Sequence, residues 1–116
     1  SSLAGFRGMA SSTAYSATKV CVKAYGEALR VRYKNDGLKV NVICPGFVKS
    51  RITDQNKFVM PMIMEGEKAA KIIRKGLEHN KAIITFPWQI AALVRFYALL
   101  PLWVIELLAK FIPVKE

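Results

Sequence analysis

A tyrosine and a lysine four residues apart are the residues of this sequence whose types and spacing best suit catalysis. Tyr15 and Lys19 lie in the segment YSATK, within a run that predicts a helix. Side chains at positions i and i+4 share one face of a helix, so phenol and ammonium can approach each other. A free phenol exchanges protons poorly at neutral pH, and a nearby cation lowers its pKa toward the working range. The pair therefore predicts a proton-transfer site.

A serine upstream of this pair completes a possible reaction centre. Ser2 offers a neutral hydroxyl that could hold a carbonyl or alcohol oxygen against Tyr15. Such a set can move a proton on or off an oxygen while a hydride moves at the adjacent carbon. Taken alone, Tyr15 would be interpreted as a core aromatic residue and Lys19 as a solvated charge. Their combination with Ser2 and a downstream Pro-Gly pair favours the catalytic interpretation.

The elements that must position these residues alternate between helix and strand. Ser1–Ala10 predicts a strand end and a loop, and three hydroxyl residues then precede a helix from about Ala14 to Lys34. A β-branched run, Leu38–Cys44, predicts a buried strand that Pro45-Gly46 ends. The helix carries an apolar stripe of mostly small residues, which we expect to pack on a sheet or on a second subunit: Ala17, Val20, Cys21, Ala24, Ala28 and Val31.

The next part of the chain predicts an apolar segment, a second helix and a further strand. Asp54–Met64 is rich in methionine, which suits either an adaptable binding surface or simple core packing. Glu65–Leu77 predicts an amphipathic helix, with Ala69, Ile72, Ile73 and Leu77 inward and Lys68, Lys71, Arg74 and Lys75 outward. Ala82–Phe86 predicts the last strand. His79 is the only histidine and has no companions at metal-ligand spacing, so we assign it no role.

The C-terminal segment is dominated by aliphatic and aromatic residues. Its longest uncharged run is too short for a membrane span of about 20 residues, and Pro101 divides it. We therefore predict two helices, Trp88–Leu99 and Leu102–Phe111. Tryptophans flanked by Lys and Arg suit an interfacial membrane contact. They suit equally a cover over a substrate pocket or a contact with a partner subunit.

The motifs SSLAG, YSATK and NVICPGFVKSRIT, in that order, resemble the short-chain dehydrogenase/reductases. The resemblance implies that Ser2, Tyr15 and Lys19 match the family's catalytic residues, with Ser1 the runner-up for the serine. It also implies α/β architecture, the C-terminal half of a doubly wound, Rossmann-type parallel sheet, with three strands present here. The residues that it implies near the nicotinamide cofactor are Tyr15, Lys19, Pro45, Gly46, Val48 and Ser50.

The same resemblance implies hydride transfer between an alcohol or carbonyl substrate and NAD or NADP, with NADP slightly favoured. The lid region of the family corresponds to the methionine-rich segment, which implies an apolar small-molecule substrate, and a homo-oligomer is expected for the full-length form. The glycine-rich βαβ unit of such folds does not occur in these 116 residues. We therefore expect residues 1–87 to be the C-terminal portion of the dinucleotide-binding domain and 88–116 an apolar helical extension. By itself, such a chain is expected to be inactive.

Composition narrows the remaining classes. The net charge is +10, but the basic residues are spread along the chain without a nucleic-acid motif, so a solvated basic surface is preferred to nucleic-acid binding. Two separated cysteines define neither a disulfide framework nor a metal site. We expect a cytoplasmic protein that could contact a membrane peripherally through 88–112. The alternative function, from another class, is a catalytically silent module for membrane or subunit interaction.

Overall fold

The computed structural model describes residues 1–47 and 63–111. Val48, Ser50 and most of the methionine-rich segment, all singled out from the sequence, lie outside the described residues. The described helices and strands alternate as the sequence predicts. They are α1 (Thr13–Arg32), β1 (Val42–Pro45), α2 (Gly66–Glu78), β2 (Ile83–Phe86), α3 (Trp88–Leu99) and α4 (Leu102–Ala109), with 3-10 turns at Leu3–Gly5, Ala10–Ser12 and Lys34–Asp36.

Helix α1 begins one residue before the predicted Ala14 and ends before the predicted Lys34. Ser12 occupies the N-cap position, but its side chain makes no capping bond. Ser16 fastens the first turn instead, because its hydroxyl accepts from the Met9 amide at 2.9 Å and donates to the Thr13 carbonyl at 3.2 Å. Beyond the helix, Gly37 adopts the left-handed conformation with φ of 75°, as its type predicts.

The apolar stripe of α1, expected to pack on a sheet or on a second subunit, does not face the sheet in the described part of the chain. Among its six members only Val20 is half-buried, and the others are exposed. The face toward β1 instead contains the fully buried Ser16 and the half-buried Gly26 and Arg30. Close approach decides this orientation, since a Cβ atom on Gly26 would lie 2.5 Å from Cγ2 of Val42.

Strands β1 and β2 form a parallel pair whose register runs from Val42 opposite Ile83 to Pro45 opposite Phe86. The first strand was predicted to begin at Leu38, which is wrong by four residues. The partner strand begins only at Ile83, which lies opposite Val42, so residues 38–41 have no strand to pair with. The side chain of Asn41 donates instead to Asn80 Oδ1 at 3.1 Å and to the Lys81 carbonyl at 2.7 Å.

The prediction of three parallel strands is also wrong within the described residues, where the sheet has two. Only Ser1 lies along the other edge of β1, and its backbone nitrogen donates to the Ile43 carbonyl at 2.9 Å. One residue makes too little of a ladder to count as a strand, because the chain then turns into the 3-10 turn Leu3–Gly5. The α/β class is confirmed, and the described part is consistent with a portion of a Rossmann-type fold.

The two faces of the sheet bury separate clusters, because successive strand residues point to opposite sides. On one face, Val42 and Cys44 pack with Leu3 and with Ala91 of α3. On the other, Ile84 and Phe86 pack with Met64 and with Ala69 of α2. Helices therefore cover both faces, as expected when parallel strands are joined by a helical crossover.

Helix α2 lies close against β2 through Gly76, where a Cβ atom would meet Cδ1 of Ile84 at 2.7 Å. Ala69 is buried and Ile72 and Ile73 are half-buried, as predicted, whereas Leu77 is exposed and its predicted inward position is wrong. The helix turns Gly76 rather than Leu77 toward the sheet. The four basic residues predicted to face outward, Lys68, Lys71, Arg74 and Lys75, are exposed.

Helices α3 and α4 meet at a bend of 113° at Leu100 and Pro101. Helix α4 ends at Ala109, two residues before the predicted Phe111. In the described ranges, no helix taken singly has the length and apolar composition to cross a membrane, whereas this bent pair together meets those criteria.

Candidate active site

The phenol and the ammonium predicted to act together lie on the first two turns of α1. Lys19 Nζ is 5.3 Å from the centroid of the Tyr15 ring, on the helix face that the i and i+4 spacing requires. The Tyr15 side chain is 52% exposed, so a ligand can reach its hydroxyl from solvent. The predicted pairing of these two groups is thus present in the geometry.

A short turn near the N-terminus connects this helix to the sheet. The hydroxyl of Ser1 donates to the backbone carbonyl of Lys19 at 2.7 Å, while the backbone nitrogen of the same serine bonds to β1. Gly5 lies so close to α1 that a Cβ atom there would be 2.8 Å from the Lys19 carbonyl oxygen. The turn Leu3–Gly5 therefore fixes the position of Lys19 relative to the strand.

The end of β1 reaches the same turn from the other side. A Cβ atom on Gly46 would lie 3.3 Å from Cδ1 of Leu3 and 3.0 Å from Cδ of Pro87. The Gly46 amide donates to the Phe86 carbonyl at 2.8 Å, which extends the pairing of the two strands by one bond. Pro45 and Gly46 thus lie at the carboxyl ends of two parallel strands, the edge where open α/β sheets bind ligands.

The two adjacent serines make different hydrogen bonds. The hydroxyl proton of Ser1 is committed to the Lys19 carbonyl. The Ser2 hydroxyl accepts from the Ala4 amide at 3.2 Å, which caps the 3-10 turn and leaves the Ser2 hydroxyl proton able to be donated elsewhere. Ser2 is half-buried at the start of this turn.

The described residues suit one end of a nicotinamide dinucleotide. Tyr15 supplies a hydroxyl and Lys19 an ammonium, groups of the kind that bind a ribose, whereas the space beside the Gly46 α-carbon is occupied by Leu3 and Pro87. A glycine-rich turn for the pyrophosphate is not in the 116-residue sequence. Val48 and Ser50 lie outside the described residues, so their predicted contacts stay predictions.

Sequence reasoning missed Arg7, which joins the loop between Ser2 and Tyr15 to the end of α3. Its Nη1 donates to the Tyr97 carbonyl at 3.1 Å, the Ala98 carbonyl at 3.4 Å and the Leu100 carbonyl. The guanidinium also lies 5.8 Å from the Tyr97 ring centroid. A cation at a helix C-terminus satisfies carbonyls that have no intrahelical partner. No local pattern announces this role, since Arg7 lies in a loop and its partners are about ninety residues away.

Cys44 is the buried thiol nearest to this site. Burial raises the pKa of its thiol above the ordinary value. The thiol therefore packs as a neutral apolar group in the cluster around Leu3. Within residues 1–47 and 63–111, no group of three or more His, Cys, Asp or Glu side chains could hold a metal ion.

Comparison with known proteins relates this geometry to curated sequences. A protein of Myxococcus xanthus named an uncharacterized oxidoreductase is 46% identical over 101 residues, 87% of this chain and 40% of that protein. An uncharacterized oxidoreductase of Mycobacterium tuberculosis is 31% identical over 103 residues, with the same two shares. A Xanthobacter autotrophicus protein named inactive 2-(S)-hydroxypropyl-CoM dehydrogenase 2 is 34% identical over 74 residues, 64% of this chain and 31% of that protein.

These matches fix the family but cover only part of each relative. The chain spans about 40% of the length of the first two curated relatives. A search of solved structures found no significant match to this chain. The family model described as short chain dehydrogenase matches residues 1–59, which include Ser2, Tyr15, Lys19 and the Pro45-Gly46 pair. The chain therefore belongs to the short-chain dehydrogenase family of oxidoreductases.

Proposed function

We propose that the protein interconverts an alcohol and a carbonyl compound, using NAD or NADP, and that the described site supplies the proton transfer. The observation that carries the proposal is the Lys19 ammonium at 5.3 Å from the Tyr15 ring, with the phenol half exposed. The two groups share one side of α1, and the exposed phenol can exchange a proton with the oxygen of a bound substrate.

Each side chain has one role in this scheme. In the oxidative direction, Tyr15 accepts the proton of the substrate hydroxyl, and in the reductive direction it returns that proton to the carbonyl oxygen. Ser2 donates its hydroxyl proton to the same substrate oxygen and so holds it against the phenol. Lys19, which lies beside the phenol, would hold the ribose hydroxyls of the cofactor. A bound nicotinamide cofactor would supply the hydride chemistry at the substrate carbon.

The hydrogen bonds of the two serines support the choice of Ser2 over Ser1. Ser1 already donates its hydroxyl proton to the Lys19 carbonyl, whereas Ser2 only accepts, from Ala4. A hydroxyl that accepts one bond can still donate one to a substrate. Ser1 is then a structural residue that holds α1 against the sheet.

The substrate class and the assembly are part of the same proposal. An apolar substrate is supported by the apolar composition of residues 58–64 and of the C-terminal helices. A homo-oligomer is supported by the exposed small residues of α1, which would let a second helix approach closely. Neither property changes the proton-transfer scheme.

Replacing the phenol tests the proposal. In the intact protein with either nicotinamide cofactor, Tyr15→Phe should lower turnover by about 10²–10⁴-fold, the usual contribution of general acid–base catalysis. Cofactor affinity should be largely kept, because Lys19 and the strand end are unchanged. Tyr25→Phe removes a phenol hydroxyl from an exposed position on the same helix and is the matched control. Turnover of Tyr15→Phe equal to that of the control would refute the assignment.

A catalytically silent interaction module is the second candidate. It is favoured by the exposed apolar surface of α3 and α4, and one similar protein is named an inactive dehydrogenase. This candidate predicts no turnover of any alcohol or carbonyl compound by the unmodified intact protein, and no difference between the two tyrosine variants.

A further inference from the structure

We propose that α3 and α4 form a docking surface for the interface of an anionic phospholipid bilayer. The surface, called here the α3–α4 surface, consists of outward apolar side chains on both helices. It requires neither turnover nor cofactor and so goes beyond the proposed enzymatic function. Its exposed large members are Trp88, Leu93, Phe96, Leu99, Leu102, Trp103, Leu107, Leu108 and Phe111.

The side of α3 that faces solvent is apolar, which is unusual for a helix on a protein surface. Ala91 is its only buried residue and packs with Leu3 and β1. Phe96 and Leu99 are among the exposed side chains of α3, and Leu99 is 82% exposed. Large apolar side chains that are exposed together on a surface mark an interaction site.

Helix α4 has no buried residue in the part of the chain that the structure describes. Trp103 is 67% exposed and Phe111, just beyond the helix, is 81% exposed. Val104 and Ile105 are half-buried, and the other side chains of α4 are exposed. Most of its apolar surface is therefore available to an occupant outside the described residues.

The shape of the helix pair and the positions of its tryptophans favour lipid as the occupant of this surface. Together, α3 and α4 meet the length and composition criteria of a membrane segment, while their 113° bend prevents them from forming one straight span. A bent pair of that composition can instead lie in the interface. Tryptophan stands in the first turn of each helix, and tryptophan favours the membrane–water boundary.

The charges near the surface have the sign that an anionic membrane requires. Arg95 is exposed on α3 and Lys110 is exposed just beyond α4, whereas Glu106 is the one acidic residue of the two helices. The whole chain carries a net charge of +10. Basic residues beside an apolar face strengthen binding to anionic headgroups and do so less at high salt.

Arg7 keeps the α3–α4 surface in its bent form. Its three bonds to the carbonyls of Tyr97, Ala98 and Leu100 hold the end of α3 at the corner. The pair is thereby fixed to the same loop that precedes Tyr15. A surface held in this way can dock without unfolding.

Cosedimentation of the intact protein with vesicles tests the proposal. Binding should increase from phosphatidylcholine vesicles to vesicles with added phosphatidylserine, and should decrease as salt is raised. The triple variant Leu99→Gln/Trp103→Gln/Phe111→Gln should partition about tenfold more weakly or worse, since three exposed apolar side chains are lost. All three positions are exposed, and circular dichroism verifies that the variant remains folded.

A matched triple variant on α1 and the loop after it provides the control. Tyr25→Gln/Val31→Gln/Leu38→Gln also removes three exposed apolar side chains, away from the proposed surface, and should bind vesicles like the unmodified protein. Lipid should also shift tryptophan emission to the blue, and Trp88→Phe/Trp103→Phe should lose that shift. Equal partitioning of the two triple variants, or no binding to either vesicle, overturns the proposal. A changed sedimentation coefficient for the α3–α4 variant with unchanged vesicle binding would instead assign the surface to a protein partner and also overturn it.

Discussion

The two adjacent serines at the start of the chain make different hydrogen bonds, and this difference suggests a structural role for one and a chemical role for the other. The Ser1 hydroxyl donates to the Lys19 carbonyl, and the Ser2 hydroxyl accepts from Ala4 within its own turn. Only a hydroxyl with a proton left to donate can polarise a substrate oxygen. We therefore assign a structural role to the first serine and substrate contact to the second.

This assignment predicts opposite profiles for two alanine variants of the intact protein. Ser2→Ala should lower turnover by about 10²-fold or more, the usual effect of removing one donor to a reacting oxygen. Ser1→Ala should retain turnover and lose about 0.5–1.5 kcal/mol of unfolding free energy with its bond to Lys19. Steady-state kinetics and urea unfolding measure the two effects.

Ser2→Thr is the control for this pair, because it restores a hydroxyl and should recover much of the lost turnover. The reverse pattern, in which Ser1→Ala abolishes turnover and Ser2→Ala does not, would contradict the assignment.

The proximity of Tyr15 and Lys19 could be predicted from the sequence, but the contacts that surround them could not. Tyr15 and Lys19 follow from helical spacing, which is a local property. The bonds from Arg7 to α3 depend on two segments that meet only in the folded chain. Residue spacing within one segment cannot predict contacts between distant segments, so from the sequence a loop arginine is interpreted as a solvated charge.

At the scale of elements, glycines rather than apolar side chains set the positions of the helices. Gly26 brings α1 against Val42, and Gly76 brings α2 against Ile84. Each contact is closer than a Cβ atom allows. Periodicity alone therefore did not identify the face of α1 that lies against β1, because a glycine and a serine do not form part of an apolar stripe.

Adding a methyl group at Gly26 should destabilise the protein. A Cβ atom there would lie 2.5 Å from a methyl carbon of Val42, a stiff β-branched side chain that is buried in β1. We expect Gly26→Ala to cost about 1–3 kcal/mol through overpacking, which exceeds the gain of up to about 1 kcal/mol in helix propensity. Chemical denaturation measures the net change.

Gly8→Ala is the matched control, since no atom lies within 4 Å of a Cβ atom at that loop position. Its unfolding free energy should stay within about 0.5 kcal/mol of the unmodified protein. Equal stability of the two variants would mean that α1 does not press on β1 as described.

Element types followed from the sequence more readily than element boundaries. The strand β2 and the helix α3 agree with their predicted ranges to within one residue. The start of β1 was misplaced because the β-branched run extends back to Leu38, whereas pairing depends on where the partner strand begins. Strand boundaries are thus a tertiary property even where strand propensity is clear.

The described part of the chain is less compact than a closed domain of similar length. Its radius of gyration is 15.5 Å, against about 13 Å for a single compact domain of this size. More large apolar side chains are exposed than buried among the described residues. At the second edge of β1, the backbone nitrogen of Ser1 donates to the Ile43 carbonyl. The described part of the chain therefore leaves a large apolar surface uncovered.

The sequence also indicates that part of the expected fold is missing from these 116 residues. The missing glycine-rich turn predicts an incomplete cofactor site, and this stays a prediction. Whether the six-residue stripe of α1 faces a sheet or a second subunit could not be predicted from its composition. Exposure depends on the arrangement of elements rather than on their composition.

Produced as a separate polypeptide of 116 residues, the chain should self-associate and show no dehydrogenase activity with NAD or NADP. Its exposed apolar side chains and the nearly unpaired edge of β1 favour contacts between copies. Sedimentation velocity over a range of concentrations measures the association, and absorbance of the reduced nicotinamide measures turnover. If the α3–α4 surface contributes, the triple variant Leu99→Gln/Trp103→Gln/Phe111→Gln should associate less than the unmodified chain. A monomer that turns over an alcohol would contradict this prediction, because the described residues would then suffice for a closed fold and a complete cofactor site.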